Sequence, residues 1–375
     1  MDAMKDDRWI FTENPAILFD NTPVGELKKE LWDAGEAEVD RSLREDFGIP
    51  QPSELTKAGC YIQTTPRHRL KERRRRNDIV LVPIGCSENH GDHCSSGHDI
   101  FQVTQFLEGI RRYTAKKGYE VNLAYPALVY GGHPYHHIGM PGTIILPQEV
   151  VVETVIAVML GLWDDGFRKI ILVNNHGHLW NLVTAIQEFC KRHQLPGVYQ
   201  VFDWHRATRE FFYPNNGKPN CFETNFIHAC EHETSLGLLM FPEMIDMKHA
   251  VDTQSTQYLP PGWFDTSVDD MRRPHRWDEG EGHAAMECYG TPEGVVGKPT
   301  LADPEKAKRP VLAICRLLSL LVEQILEAFP AGKVPPLKGV TLRSEEELAP
   351  FLKEPQSPGW KSVYALPRIG PVERL

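Results

Sequence analysis

The sequence predicts an α/β fold with a mostly parallel central sheet, and three observations carry that expectation. DIVLVPIG, from Asp78 to Gly85, is a continuously apolar, β-branched run of the kind buried on both faces of a parallel sheet. KIILVNN at 169 to 175 repeats the pattern, and VYQVFDW at 198 to 204 is a third strand. Helical stretches separate these runs, so strand, helix and strand alternate in a layered α/β domain with right-handed crossovers.

The elements follow in chain order. Residues 1–77 are polar and mixed in charge and are expected to form an N-terminal extension laid against the core. Within them VGELKKELWDAGEAEVDRSLREDFG, 24 to 48, has helical spacing and ends at a glycine suited to a C-cap. RRRR at Arg73 to Arg76 is expected as a solvated helix end or an oligomer contact, not a phosphate site. The catalytic domain is placed at 78–330. Its first strand is followed by a helix, FQVTQFLEGIRRYTAKKG at 101 to 118, then EVNLAYPALVYG, then a His- and Gly-rich loop at 131 to 142. PQEVVVETVIAVMLGLWDDG and HGHLWNLVTAIQEFCKRHQ read as helices, one before and one after the second strand. ETNFIHACEHETSLGLLMFPEMI becomes helical in its second half. Residues 251 to 300, rich in Pro, Gly, Trp and Asp, read as a long irregular excursion, and such loops usually serve function or assembly. An amphipathic helix spans 304 to 329, and residues 331–375 form a proline-containing C-terminal tail expected to wrap the surface.

Composition excludes several function classes. A formal charge of -10 argues against nucleic acid as the main partner, because binding a polyanion draws on an excess of Lys and Arg. No run approaches 18 uninterrupted apolar residues, so no membrane span is expected. The N-terminal residues lack an apolar signal segment, and the eight cysteines form no C-x-x-C pair; both point to the cytoplasm. No G-x-G-x-x-G follows a strand, which removes a nucleotide-dependent oxidoreductase.

In open parallel sheets, sites form outside the carboxyl ends of the strands. The first strand leads to SENHGDHCSSGHD, with Glu88, His90 and Asp99; the second leads to Asn174, Asn175, His176 and His178; HACEHET adds His228, Glu231, His232 and Glu233. So many carboxylates and imidazoles at one edge are costly to bury unless something neutralises them. Mixed nitrogen and oxygen donors favour Zn, Mn or Fe over a tetrathiolate zinc or an all-oxygen calcium cage. A carboxylate such as Asp99 can bridge two ions, and ions about 3.5 to 4 Å apart can share a water as nucleophile. Gly91 and Gly177 are expected to let backbone approach the ions. Cys86 and Cys94 are expected to pack as small apolar groups, and Asp92, His93 and His98 to support the site or face solvent.

The joint order PIGCSENHGDHCSSGHD, HHIGMPGTI, LVNNHGHLWN and HACEHETS resembles the creatininase family of metal-dependent amidohydrolases, over about residues 78 to 310. The resemblance implies a three-layer α/β/α fold, a binuclear centre of two divalent ions (Zn, Mn or Fe), and commonly a hexamer. Carried over by position, Glu88 and His176 bind one ion, His90 the other, and Asp99 bridges. The remaining ligand is His178, standing where creatininases proper have a glutamate, or Glu233 of the ETS triplet; Glu233 is preferred, with His178 toward the substrate. His228 matches a family histidine that moves protons, so His228 and Glu233 are the catalytic expectation. Thr143 is expected to donate from its backbone to an oxyanion, His136 and His137 to contact polar substrate groups, and Trp180, Trp204 and Trp263 to wall the pocket. The long form resembles the 3-dehydro-scyllo-inosose hydrolases within the family, so the expected substrate is a diketo-inositol. The alternatives are a creatinine-like cyclic amide or a formamide and, in another class, a non-catalytic metal-binding assembly protein. The implied partners are a small polar cyclic substrate and further copies of the chain in a homo-oligomer.

Overall fold

Four parallel strands organise the computed structural model, which describes residues 8–132, 138–254, 291–335 and 341–369. A small antiparallel pair, β1 (Trp9–Phe11) and β2 (Leu18–Asp20), precedes them. The central strands are β3 (Ile79–Ile84), β4 (Asn122–Leu123), β5 (Lys169–Asn174) and β6 (Val198–Asp203), in the spatial order β4-β3-β5-β6. The helices are α1 (Pro23–Asp33), α2 (Glu36–Ser42), α3 (Arg67–Arg76), α4 (His98–Lys116), α5 (Gln148–Asp164), α6 (Leu179–His193), α7 (Trp204–Ala207), α8 (Glu231–Met240), α9 (Pro304–Ala328) and α10 (Glu345–Leu352).

Every residue of β3 and β5 is buried, as the unbroken apolar runs require. Successive side chains point to opposite faces. Ile79, Leu81, Ile171 and Val173 enter one core with Phe106 of α4, Leu236 of α8 and Val311 of α9. Val80, Val82, Ile170 and Leu172 enter the other with Val155 of α5 and Phe189 of α6. The expected three-layer α/β/α architecture is therefore present. From β3 the chain moves outward to β4, then returns across β3 to β5 and continues to β6. That reversal is a topological switch point between β3 and β5, and the loops leaving their carboxyl ends part to opposite faces and open a crevice there.

Several local expectations are corrected. The helix read over 24–48 is broken at Ala34–Gly35, where Gly35 is extended, and α2 passes into a wider π-turn over Leu43–Phe47; Gly48 closes it at φ 62°, as its C-cap position requires. The helix read from residue 101 begins at His98, which puts Asp99 in its first turn. Arg73 and Arg74 are buried and bond inside the fold: Arg73 Nη2 donates to Gly59 O at 2.9 Å, and Arg74 pairs with Glu354. The tail does more than wrap, since Leu348, Phe351 and Val363 complete the second core. Among the described residues, no helix is long and apolar enough to cross a membrane.

Lys169 opens β5 fully buried, its ammonium paired with the equally enclosed Asp78; the other Asp78 oxygen accepts from Gly332 N at 3.1 Å. Removing one partner strands a buried charge, so Asp78→Ala is expected to cost about 3 to 5 kcal/mol in chemical denaturation. Asp78→Ala with Lys169→Met is expected to recover much of that loss. An unchanged denaturation midpoint for the single variant would contradict the pairing.

Candidate active site

The crevice is lined by the starts of three helices. β3 runs into Gly85 to Ser87, and Glu88 is held there by its N–H donating to Ser96 O at 2.9 Å. Asp99 lies in the first turn of α4, Glu233 in the first turn of α8, and His178 caps the start of α6. A helix start carries partial positive charge and favours carboxylates beside it. The end of β5 is fixed by Asn175, whose Nδ2 donates to Asp99 O at 2.7 Å, and by Asn174, whose Nδ2 donates to His176 O at 2.7 Å and to Asp203 Oδ2 at 2.8 Å. His228 and Glu233 are aimed by a turn at Ala229, whose φ of 48° is left-handed and unfavourable for a residue with a Cβ; its N–H donates to Glu233 Oε2. Gly91, with φ 71°, is required by a close approach, because a Cβ there would sit 2.6 Å from Val295 Cγ2.

Glu88, His90, Asp99, His176 and Glu233 are all buried and converge at this point. His176 Nδ1 lies 3.0 Å from Asp99 Oδ2 and 3.1 Å from Glu88 Oε2. His90 Nε2 lies 3.4 Å from Asp99 Oδ1 and 3.6 Å from Glu233 Oε2. The two oxygens of Asp99 thus face two donor groups, Glu88 with His176 and His90 with Glu233. Their atoms lie within 4.8 Å of one another in each group. The His228 ring lies tilted at 51° against His90 with centroids 4.5 Å apart, donates from Nε2 to Asn89 O at 2.7 Å, and places Nδ1 3.9 Å from Glu88 Oε1.

Three buried carboxylates in one crevice set the electrostatics. Burial disfavours the charged His90 ring, but Asp99, Glu233 and Glu88 outweigh it and lift the ring to about 10. His176 is likewise lifted to about 10, with Glu88 and Asp99 overcoming its burial. Burial works against the charge of Asp99, yet His90 and His176 hold it below the ordinary carboxylate range. Burial, together with Asp99 and Glu88, pushes Glu233 up to about 7 against the pull of His90. Protons therefore occupy the lone pairs that a cation would take, and the two compete for the same atoms.

The donors fit a metal. His90 donates from Nδ1 to Glu88 O at 3.1 Å, which leaves Nε2 buried, without a hydrogen-bond partner, and facing two carboxylates. A ligating histidine is normally fixed in this way, one ring nitrogen on a carbonyl and the other toward the ion. Imidazole and carboxylate donors without a thiol pair suit Zn, Mn or Fe.

The other sequence-derived residues divide. Glu231 is an anchor: its carboxylate accepts from Thr224 N at 2.9 Å and from Lys306 Nζ at 2.7 Å. His232 bonds Phe212 O at 3.0 Å among aromatic rings. His93 and His98 are buried behind the site, His98 Nε2 donating to Glu233 O at 2.9 Å, while Asp92 is exposed. His178 is buried beside His176, ring centroids 4.8 Å apart, and stands outside the donor groups, which take Glu233 instead. Thr143 accepts on Oγ1 from Asn89 N at 2.9 Å; its own N–H donates to Met140 O at 3.1 Å, so the donor expected for an oxyanion is engaged in a turn. Trp204 is core, and Trp180 is exposed. His136, His137 and Trp263 lie outside the described residues.

The creatininase (creatinine amidohydrolase) family model matches residues 64–329. The chain belongs to the creatininase family. A 3-dehydro-scyllo-inosose hydrolase of Thermotoga maritima is 40% identical over 307 residues, 82% of this chain and 96% of its own. A creatinine amidohydrolase of Pseudomonas putida is 26% identical over 212 residues, 52% of this chain and 76% of its own. A solved structure described as creatininase Mn shares the fold, with a TM-score of 0.51 at 18% identity over 73% of this chain and all of its own. This creatininase-family chain is accordingly a metal-dependent hydrolase, and the non-catalytic alternative falls.

Proposed function

We propose that this chain hydrolyses a diketo-inositol, 3-dehydro-scyllo-inosose, to a ring-opened acid. The observation that carries the substrate is the 40% identity to the Thermotoga hydrolase across nearly the whole of that protein. The donor set would hold two ions, one through Glu88, Asp99 and His176 and one through His90, Asp99 and Glu233, Asp99 offering one oxygen to each group. When bound, divalent ions there lower the pKa of a water toward neutrality and polarise a carbonyl oxygen.

The chain's own residues do the rest. Glu88, Asp99 and Glu233 supply the negative charge that holds cations in a buried crevice. Water adds to one ring carbonyl, the adjacent carbon–carbon bond breaks, and the departing carbon needs a proton. His228 is proposed to carry it: Nε2–H donates to Asn89 O, so the lone pair of Nδ1, near Glu88, takes a proton from the attacking water and passes it to the departing carbon. His178, Thr143 and His137 are assigned to the substrate's hydroxyl groups. A pocket edged by His and Asn side chains suits a polyhydroxylated ring. Creatinine is the weaker reading, because His178 stands where creatininases proper carry a ligand glutamate.

Incubating metal-loaded protein with the diketo-inositol is expected to yield the ring-opened acid. No acid, with turnover of creatinine or another lactam, would reject this substrate. A homo-oligomer, hexameric by the family resemblance, and a cytoplasmic location belong to the same proposal; the seven described cysteines, none in a disulfide, support a reducing compartment.

A further inference from the structure

Cys86 follows β3 directly, and its fully buried Sγ lies 3.0 Å from Asp99 Oδ2 and 3.8 Å from Glu88 Oε2. Ligand atoms of Cys86, Glu88, Asp99 and His176 all lie within 4.8 Å of one another. Donors about 2.0 to 2.3 Å from one tetrahedral ion lie roughly 3.3 to 3.8 Å apart, and the separations of 3.0 and 3.8 Å from Cys86 Sγ and of 3.0 and 3.1 Å from His176 Nδ1 to the two carboxylates come close to that spread. A cysteine serving only as a small apolar group is surrounded by carbon. The Cys86 sulfur instead faces two carboxylate oxygens. The backbone is also built around it, since a Cβ on Gly131 would lie 2.8 Å from Cys86 Cβ. A second observation points to a ligand at the same centre: the buried His90 Nε2 makes no hydrogen bond and faces the other oxygen of the shared Asp99 at 3.4 Å.

We infer that Cys86 is a sulfur ligand of the ion held by Glu88, Asp99 and His176, contrary to the packing role expected from sequence. The inference rests on the metal reading under Proposed function. Coordination forms a sulfur–metal bond and releases the thiol proton to solvent. Its chemical consequence is asymmetry. Sulfur beside imidazole and carboxylate favours zinc, iron or cobalt, whereas the sulfur-free His90, Asp99 and Glu233 group also suits manganese.

The test loads full-length, chelator-treated protein with Co2+ and records its absorption. Visible ligand-field bands report bound cobalt whatever its donors, and a near-ultraviolet sulfur-to-cobalt charge-transfer band reports the thiolate. Both are expected in the wild type and in Cys94→Ser. Cys86→Ser is expected to lose the charge-transfer band and keep the ligand-field bands. Ligand-field bands without charge transfer in the wild type, or charge transfer surviving Cys86→Ser, would overturn the sulfur ligand and leave the metal reading standing. Failure of the wild type to bind cobalt would overturn both. Should Cys86→Ser not fold, zinc-edge X-ray absorption of the wild type decides: a sulfur at about 2.3 Å supports the ligand, and a shell of nitrogen and oxygen alone overturns it.

Discussion

Asp99→Ala is expected to lose both ions and at least ~10^3-fold in turnover. Its two oxygens face the two donor groups separately, Oδ2 toward His176 and Oδ1 toward His90. Without it the second group falls to His90 and Glu233, and the first keeps Glu88 and His176 with Cys86 but loses the carboxylate shared between the two. Loss of several kcal/mol of transition-state stabilisation, at about 1.4 kcal/mol per tenfold, gives that magnitude. Folding is expected to survive, because the helix α4 start retains the Asn175 bond to the Asp99 backbone. Elemental analysis beside turnover checks this. Loss of a single ion that persists when Cys86→Ser is added would refute the bridging role, and two retained ions would refute ligation altogether.

His228→Gln is expected to keep both ions and lower kcat by about 10^2 to 10^4-fold, the usual contribution of a positioned proton donor. The rival reading is structural in origin, since His228 also groups with Glu88 and His90 as a possible ligand set. The variant separates the two. Retained metal with a fallen kcat and a nearly unchanged KM identifies proton delivery. Lost metal identifies a ligand, and undiminished kcat removes His228 from the chemistry.

The sheet and the rim were legible because both rest on local signals. Unbroken apolar runs specify strands buried on both faces, and the polar clusters that follow them must lie at the carboxyl edge. The clusters that hold Glu88, His90, Asp99 and His176 could therefore be placed at the rim from the strand order, while the choice of these four within them is what the creatininase resemblance implies. The preference for Glu233 over His178 rests on the resemblance and not on spacing, since Glu233 reaches the rim only through the packing of α8 and the left-handed turn at Ala229. Within HACEHET the sequence offers four polar side chains of similar character. Tertiary contacts alone divide them, sending Glu231 to Lys306 and His232 to Phe212 O. The break at Gly35 and the burial of Arg73 and Arg74 were hidden for the same reason, as partners distant in sequence decide them. The engagement of the Thr143 N–H is a matter of turn geometry, which composition does not report.

Metal removal and return, followed on one preparation, tests the dependence of hydrolysis on the Asp99-centred site most directly. The chelated protein is expected to be folded and inactive, and activity is expected to return in step with added Zn2+, Mn2+ or Fe2+ until about two ions are bound per chain. Full turnover by a preparation stripped of transition metal would contradict it.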